Sequence, residues 1–367
     1  MTDVDHRRWS LTPRGSAVRV GRHAHAPKGR GVRRIACALG LVVVLAVAGV
    51  SAFLLWPKPL NSKTVCMYTG SDISALAAFS KLAGRPVNCA VLYNDANPGW
   101  GQWVSPWFTH PNEGDAYWPQ WIKADPAVRR VVVTQEMVPD NVPANWRVLG
   151  AEGAYDRYAR ALAANLIAAG MGNAVIRLGH EMNGTWYHDS LGSNPAQYRD
   201  WATYYANIVR TMRSVKGAHF LFDWNVNAGY RNIPLNSFYP GNDVVDIIGL
   251  DIYDAGMPGN PQNQVARWRG LNDEPEGLSQ IVAFARAHGK PLSFPEWGMD
   301  STAGGGAGED LTYIRGIAAA IKDNNVVYQS YFDRPTGGVL LLENSPQALR
   351  LWQEYFGQQG TIPGTPW

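Results

Sequence analysis

The sequence predicts an α/β chain, a (β/α)8 or TIM barrel behind one N-terminal transmembrane helix. Three observations carry this. Strand-like apolar runs alternate with helical stretches eight times along most of the 367 residues, the pattern of a closed parallel barrel. An uncharged run of 22 residues, Ile35 to Trp56, precedes them. No Gly-rich phosphate loop follows the first strand, where Tyr68-Thr69-Gly70-Ser71-Asp72 reads instead as a helix N-cap. That disfavours the open doubly wound sheet, which gives the same alternation.

Residues 1–34 hold nine Lys or Arg against Asp3 and Asp5, although the whole chain carries only +3. The remainder is therefore net negative, and nothing in it is basic enough to hold a nucleic-acid backbone. Residues 35–56 would form a helix roughly 33 Å long, enough to cross a bilayer. Arg33 and Arg34 abut its start, which keeps the basic tail cytoplasmic and exports the rest. The expected location is thus the cell membrane, single-pass, with the barrel outside. A cleaved signal peptide ending at Val50-Ser51-Ala52 is the alternative, leaving a secreted protein. Against it, the tail is long for such a leader, and apolar residues continue through Phe53-Leu54-Leu55-Trp56. A linker, 57–63, follows, and the barrel is expected over 64–360.

The strand candidates are 64–69, 87–93, 130–136, 173–180, 219–225, 245–251, 291–296 and 326–332. Helical spacing of apolar residues fills the gaps at 72–83, 152–170, 195–215, 276–288, 309–323 and 345–356. With 46% hydrophobic and 17% charged residues, the chain can bury a large core, so most of it is not disordered. The run Gly304–Gly306 lacks a following Lys and reads as a loop, not a phosphate cradle. Residues 94–125 break the alternation, with Trp100, Trp103, Trp107, Trp118 and Trp121 among prolines and glycines. A long loop leaving a strand's carboxyl end lies on the barrel face that carries active sites. Most of these indoles are expected to form a satellite core, with one or two exposed as sugar platforms.

Of three cysteines, Cys37 lies in the apolar run and has no evident role. Cys66 and Cys89 fall in the first two strand candidates, where a disulfide forms if the strands are neighbours; two buried free thiols are the alternative. No His or third Cys stands near them for a metal site, and no cofactor is expected.

Two glutamates each close a β-rich run and precede a tryptophan. Glu181 lies in Arg177-Leu178-Gly179-His180-Glu181-Met182-Asn183-Gly184-Thr185-Trp186 and Glu296 in Phe294-Pro295-Glu296-Trp297-Gly298. An acid at the end of a buried strand is costly without partners or a task. Two acids facing each other across a barrel mouth are the equipment for glycosidic cleavage. His180-Glu181 is no zinc helix, because Gly184 stands where a second His is required; no metal role is expected.

These segments, with Phe238-Tyr239-Pro240-Gly241-Asn242-Asp243-Val244-Val245-Asp246-Ile247-Ile248-Gly249-Leu250-Asp251-Ile252-Tyr253 between them, resemble in order and spacing glycoside hydrolase family 26, across roughly 65–356. The resemblance implies a retaining, endo-acting enzyme on a β-linked polysaccharide or oligosaccharide. Glu181 would be the acid/base and Glu296 the nucleophile. Arg177 and the Tyr253 hydroxyl would stabilise the charge of Glu296, while an apolar surround including Met182 and Trp186 would keep Glu181 protonated. His180 would bond the nucleophile or a sugar hydroxyl. Further sugar contacts are expected from Glu136, Asn183, Trp186, Trp224, Asn225, Asp251, Trp297 and Tyr331. For each of these, packing or a loop cap is the competing reading. Two departures from the family weaken mannan as the substrate. Strand eight ends Gln329-Ser330-Tyr331-Phe332 where many members have a Trp, and strand three ends Thr134-Gln135-Glu136-Met137 without a histidine. A transglycosidase, with residues 94–125 building the acceptor side, and a non-catalytic glycan-binding barrel are the competing functions.

Overall fold

The computed structural model describes residues 64–357 apart from 95–96, 112–116, 256–262 and 337. The expected basic tail, membrane span and linker lie outside the described residues, as do Cys37 and the last three positions of the expected barrel. Among the described residues, no helix is long and apolar enough to cross a membrane.

All eight expected strands form: β1 Val65–Tyr68, β2 Cys89–Asn94, β3 Arg130–Gln135, β4 Val175–Leu178, β5 Leu221–Asn227, β6 Ile247–Asp254, β7 Leu292–Met299 and β8 Val326–Phe332. They pair in chain order, all parallel, and β8 closes on β1. The six expected helices occupy Ile73–Leu82, Asp156–Ala168, Pro195–Arg213, Leu278–His288, Leu311–Asp323 and Pro346–Phe356. Asp72 caps the first by accepting the N–H groups of Ser74 and Ala75, as its sequence context predicts. Four further helices were not legible: Trp100–Trp103, Trp118–Ala124, Trp146–Ala151 and Gln264–Asp273. The first three present too few turns for a period of 3.6 to show, and Gln264–Asp273 buries only Arg267 and Leu271, which leaves no apolar stripe to read.

Strand alternation divides the interior into two cores. Side chains of one parity pack outward against the helices and make up the larger core. Those of the other parity fill the barrel, whose lower layer is Cys66, Cys89, Val91, Val132, Val175, Ile247 and Tyr328. Cys66 and Cys89 stand in register on β1 and β2, with Cα atoms 4.3 Å apart, and form the expected disulfide. It ties neighbouring strands inside the barrel floor. Other inward positions are polar: Thr134, Arg177, Asp223, Asn225, Asp251 and Ser293, all buried.

The tryptophan-rich stretch behaves largely as expected. Trp103 and Trp118 are buried. Trp100 stacks on Tyr158, with centroids 4.0 Å apart and planes 5° from parallel, and Trp121 lies under the Arg129 guanidinium. Trp107 alone of the five is an exposed platform, tethered by its indole N–H to the carbonyl of Tyr93.

Candidate active site

The turn after β4 sets the position of Glu181. Gly179 takes a φ of 55°, and a Cβ there would fall 2.7 Å from the Met137 side chain and 2.8 Å from Trp201, so only glycine fits. Glu181 itself has a φ of 49°, a left-handed conformation uncommon outside glycine and costing on the order of 1–2 kcal/mol. The turn persists because its neighbours hold it. The N–H of Gly179 bonds to the carbonyl of Gln135 and that of Glu181 to the carbonyl of Asn225. The carboxyl is thereby aimed over the barrel axis, with its oxygens accepting from the Trp186 indole N–H at 2.7 Å and the Asn227 amide at 2.7 Å.

Glu296 reaches the same axis through an irregularity in β7. The register slips against β6 between Gly249 and Ile252, and against β8 between Phe294 and Trp297. Pro295, without an N–H to give the ladder, lies in this stretch. Ser293 points inward to Asp223, the ring of Pro295 comes within reach of Gly249, and Glu296 also points inward. Trp297 is turned out into the helical layer, against Tyr313, Tyr331 and Phe356.

The two carboxyls approach closely. Oxygens of Glu181, Asp251 and Glu296 all lie within 4.8 Å of one another. Retaining glycosidases hold their carboxyl groups about 5–5.5 Å apart, and inverting ones about 6.5–9.5 Å. The fully buried Arg177 fans out beneath them. Its guanidinium bonds the Asn225 side chain, the Thr134 hydroxyl, the Tyr93 hydroxyl, Asp251 and Glu296, the last at 2.5 Å. Glu296 further accepts the Tyr253 hydroxyl at 2.7 Å and the Tyr93 hydroxyl.

These contacts separate the two acids electrostatically. Burial pushes Glu296 up, but Arg177, with the hydroxyls of Tyr93 and Tyr253, holds it below the usual carboxylate range. Glu181 is raised to about 7, first by burial and then by the charge of Glu296. Asp251, wholly enclosed, is pushed well up by burial, with Arg177 opposing. One guanidinium faces three carboxyls, and Glu296 alone is held ionised below its ordinary value. One acid poised as base or nucleophile beside another poised as proton donor is the arrangement two-carboxylate catalysis requires. His180 is neutral over this range, driven to about 3 by burial and by Arg177.

The expected site residues sort into three groups, with His180 and Glu136 standing apart. Glu181, Glu296, Arg177, Tyr253 and Trp186 converge at the mouth. Trp186 departs from expectation in one respect: beyond its apolar surface it gives Glu181 a hydrogen bond. His180 lies buried between Tyr93 and Tyr187; among the described residues neither ring nitrogen has a hydrogen-bond partner, so it does not bond Glu296. Asn183, Asn225 and Asp251 are buried supports and not sugar contacts. Asn183 clamps the backbone of Asn227 through both ends of its amide, while Asn225 and Asp251 hold Arg177. Trp224, Trp297 and Tyr331 are corrections. All three are fully buried on the outward parity. Trp224 packs on Phe238, Tyr239 and Phe284, and the Tyr331 hydroxyl bonds the Leu340 carbonyl. Glu136 is buried and grouped with Asp140 and His188, where burial and the nearby Asp189 raise it to about 7; it does not join Glu181 and Glu296.

Tyr93 and Asn227 were missed, and both had a signal. Counting by twos from Cys89 puts Tyr93 inside the barrel. Asp223, Asn225 and Asn227 form a polar stripe on a strand whose alternate residues are apolar. Ending that strand at 225 hid its last member. The same parity on β8 brings Phe332, not Tyr331, to the mouth, in ring contact with Tyr68 and Tyr253.

Comparison with known proteins meets the resemblance read from the motifs. The model of Glycosyl hydrolase family 26 matches residues 157–281, a stretch holding Glu181, Asn227 and Tyr253 and stopping short of Glu296. The chain is 25% identical over 152 residues to a mannan endo-1,4-beta-mannosidase of Bifidobacterium adolescentis, covering 40% of this chain and 14% of that protein. Thus the chain spans about one seventh of the length of that curated relative. Among solved structures, a modular endo-beta-1,4-mannanase from Cellulomonas fimi superposes with a TM-score of 0.57 at 19% identity, over 80% of this chain and 71% of that one. A Muricauda family 26 protein, GH26C, gives 0.56 at 15% identity, over 85% and 90%. At these identities the structural likeness is one of fold.

Proposed function

We propose that this chain, similar to glycoside hydrolase family 26, is a retaining, endo-acting glycoside hydrolase that cleaves a β-linked polysaccharide at the cell envelope. The observation that carries the reading is the pair Glu181 and Glu296, with oxygens within 4.8 Å and with their proton affinities driven in opposite directions by their surroundings.

In the first step the Glu296 carboxylate attacks the anomeric carbon while Glu181 gives its proton to the departing glycosidic oxygen. The product is a glycosyl ester of Glu296 and a shortened chain. Esterification removes the negative charge that helps keep Glu181 protonated, so Glu181 ionises more readily and takes a proton from the incoming water. That water forms a bond to the anomeric carbon and releases Glu296. Arg177 and the hydroxyls of Tyr93 and Tyr253 position Glu296 for attack and stabilise its charge on departure. Tethering through residues 35–56, with the barrel outside, would confine this chemistry to the cell's own envelope or to polymer beside it.

The fold relatives named as mannanases make mannan one member of the panel, and the phenylalanine at the end of β8 argues for testing beyond it. Mannan, xylan, mixed-linkage glucan and galactan should be incubated with the full chain and the product anomer followed by NMR. A newly formed β anomer, before mutarotation, supports the double displacement. An initial α anomer would refute retention, and no new reducing ends on any β-glycan would favour a binding barrel. Chain-lengthened products would instead identify a transglycosidase.

A further inference from the structure

The described residues expose few large aromatic side chains, and Trp107, Trp186 and Tyr230 are the ones that stand out, each more than two fifths accessible. Two of them are neighbours. The rings of Trp186 and Tyr230 meet edge to face, 4.6 Å between centroids and 76° between planes. The Tyr230 hydroxyl is locked to the Thr185 hydroxyl at 2.6 Å. Because the Trp186 N–H bonds the carboxyl of Glu181, this corner stands beside the proton donor. Trp107 is tied to Tyr93 instead, whose hydroxyl sits on Glu296.

The loop that presents Tyr230 is built to stay put. After β5, the N–H of Ala228 bonds to Asp251 and that of Gly229 to Pro275. Gly229 has a φ of 77°, and a Cβ there would lie 2.4 Å from the Glu274 carboxylate. Past Tyr230, the backbone N–H groups of Arg231, Asn232 and Ile233 all point at the carboxylate of Glu276, which is fully buried. Arg231 also reaches across to the Gly192 carbonyl and the Tyr198 hydroxyl. A fixed loop ending in an exposed ring loses little freedom on binding.

We infer that Tyr230, at right angles to Trp186 and clamped by Glu276, is the platform for the sugar on the leaving-group side, and hence for an acceptor sugar in the second step. The inference rests on the proposed hydrolase reading, which sets Glu181 as the group that protonates the departing oxygen. A pyranose presents an apolar face that stacks on an aromatic ring, and the perpendicular indole walls the corner. Glu276 is a positioning residue, acting through the loop. The acceptor side therefore lies on the β4 and β5 loops, not on residues 94–125.

The test compares hexasaccharides (β-1,4-mannohexaose, xylohexaose and cellohexaose) with the matching glycosyl fluorides, whose leaving group occupies no sugar site. In Tyr230→Ala the ratio of kcat/KM on hexasaccharide to that on fluoride should fall roughly three- to tenfold, the span expected for one lost stacking contact. Tyr230→Phe, which keeps the ring, should restore most of it. Titration of the hexasaccharides into Glu296→Gln protein, with and without Tyr230→Ala, reads binding without turnover; the tyrosine-free protein should bind several-fold more weakly. An unchanged ratio, or equal loss on both substrates, would overturn the platform. Absence of turnover by the unaltered chain, with hexasaccharide binding still dependent on Tyr230, would overturn the hydrolase reading and leave the platform standing.

Discussion

At the scale of single residues, the site depends on how unequal environments divide two like acids. Both are buried to the same degree. Glu296 has a guanidinium and two phenolic hydroxyls, whereas Glu181 has only neutral N–H donors. Roles assigned on this basis are separable by experiment. Glu181→Ala should lose about 10²–10⁴-fold in rate on ordinary substrates, and azide should rescue it on aryl glycosides with good leaving groups. Glu296→Ala should form no covalent adduct with a 2-fluoro glycoside detectable by mass spectrometry. Identical responses to azide would cancel the assignment. The pH dependence has a definite sign. Glu181 must be protonated, so kcat/KM falls as pH rises through about 7. Glu296 must be ionised, so the acid limb lies below the usual carboxylate range. Arg177→Lys trades a forked, multiply bonded cation for a single ammonium, so the acid limb should move to higher pH while the alkaline limb moves less. An acid limb that stays in place would separate Arg177 from the ionisation of Glu296.

Single elements decide which side of the wall a side chain faces. On regular strands the parity rule suffices: Cys66, Tyr68, Cys89, Tyr93, Asn225 and Asn227 follow from counting by twos. It assigns Trp224 and Tyr331 to the outer core, against their expected role as sugar contacts. On β7 the rule fails, because the slip around Pro295 turns Glu296 inward and Trp297 outward. No periodicity in the sequence announces that slip. The disulfide is likewise an element-level device, closing the 23-residue separation between β1 and β2. Replacing both cysteines with alanine should lower stability by about 3 kcal/mol on the chain-entropy account. Chemical denaturation with and without reductant measures it. Equal midpoints for the double variant and the oxidised protein would show that the bridge contributes nothing.

For the whole molecule, the barrel brings to one face groups that are far apart along the chain. Tyr93, Arg177, Tyr253 and Glu296 meet within one hydrogen-bonded cluster although they sit on β2, β4, β6 and β7. Parallel strands of a closed barrel all end on the same side, so their carboxyl-terminal residues meet. The proposed membrane anchor belongs to this scale too. Expressed from its own signals, the full chain should sediment with membranes and resist salt extraction, and protease added outside should reach the barrel. Mature protein in the medium beginning near residue 53 would replace the anchor with a cleaved leader.

The sequence by itself determined the number and order of the strands, six of the helices, the cysteine pair and the two glutamates. Each of these is written in local terms: apolar periodicity, a capping aspartate, or a motif of adjacent residues. Only the tertiary structure decided that Tyr93 shares Glu296 with Tyr253, that Asn227 and Trp186 hold Glu181, and that Trp297 faces out into the helical layer. Those outcomes depend on which strands become neighbours and where a ladder slips. Contact across a closed barrel is a property of all eight strands at once.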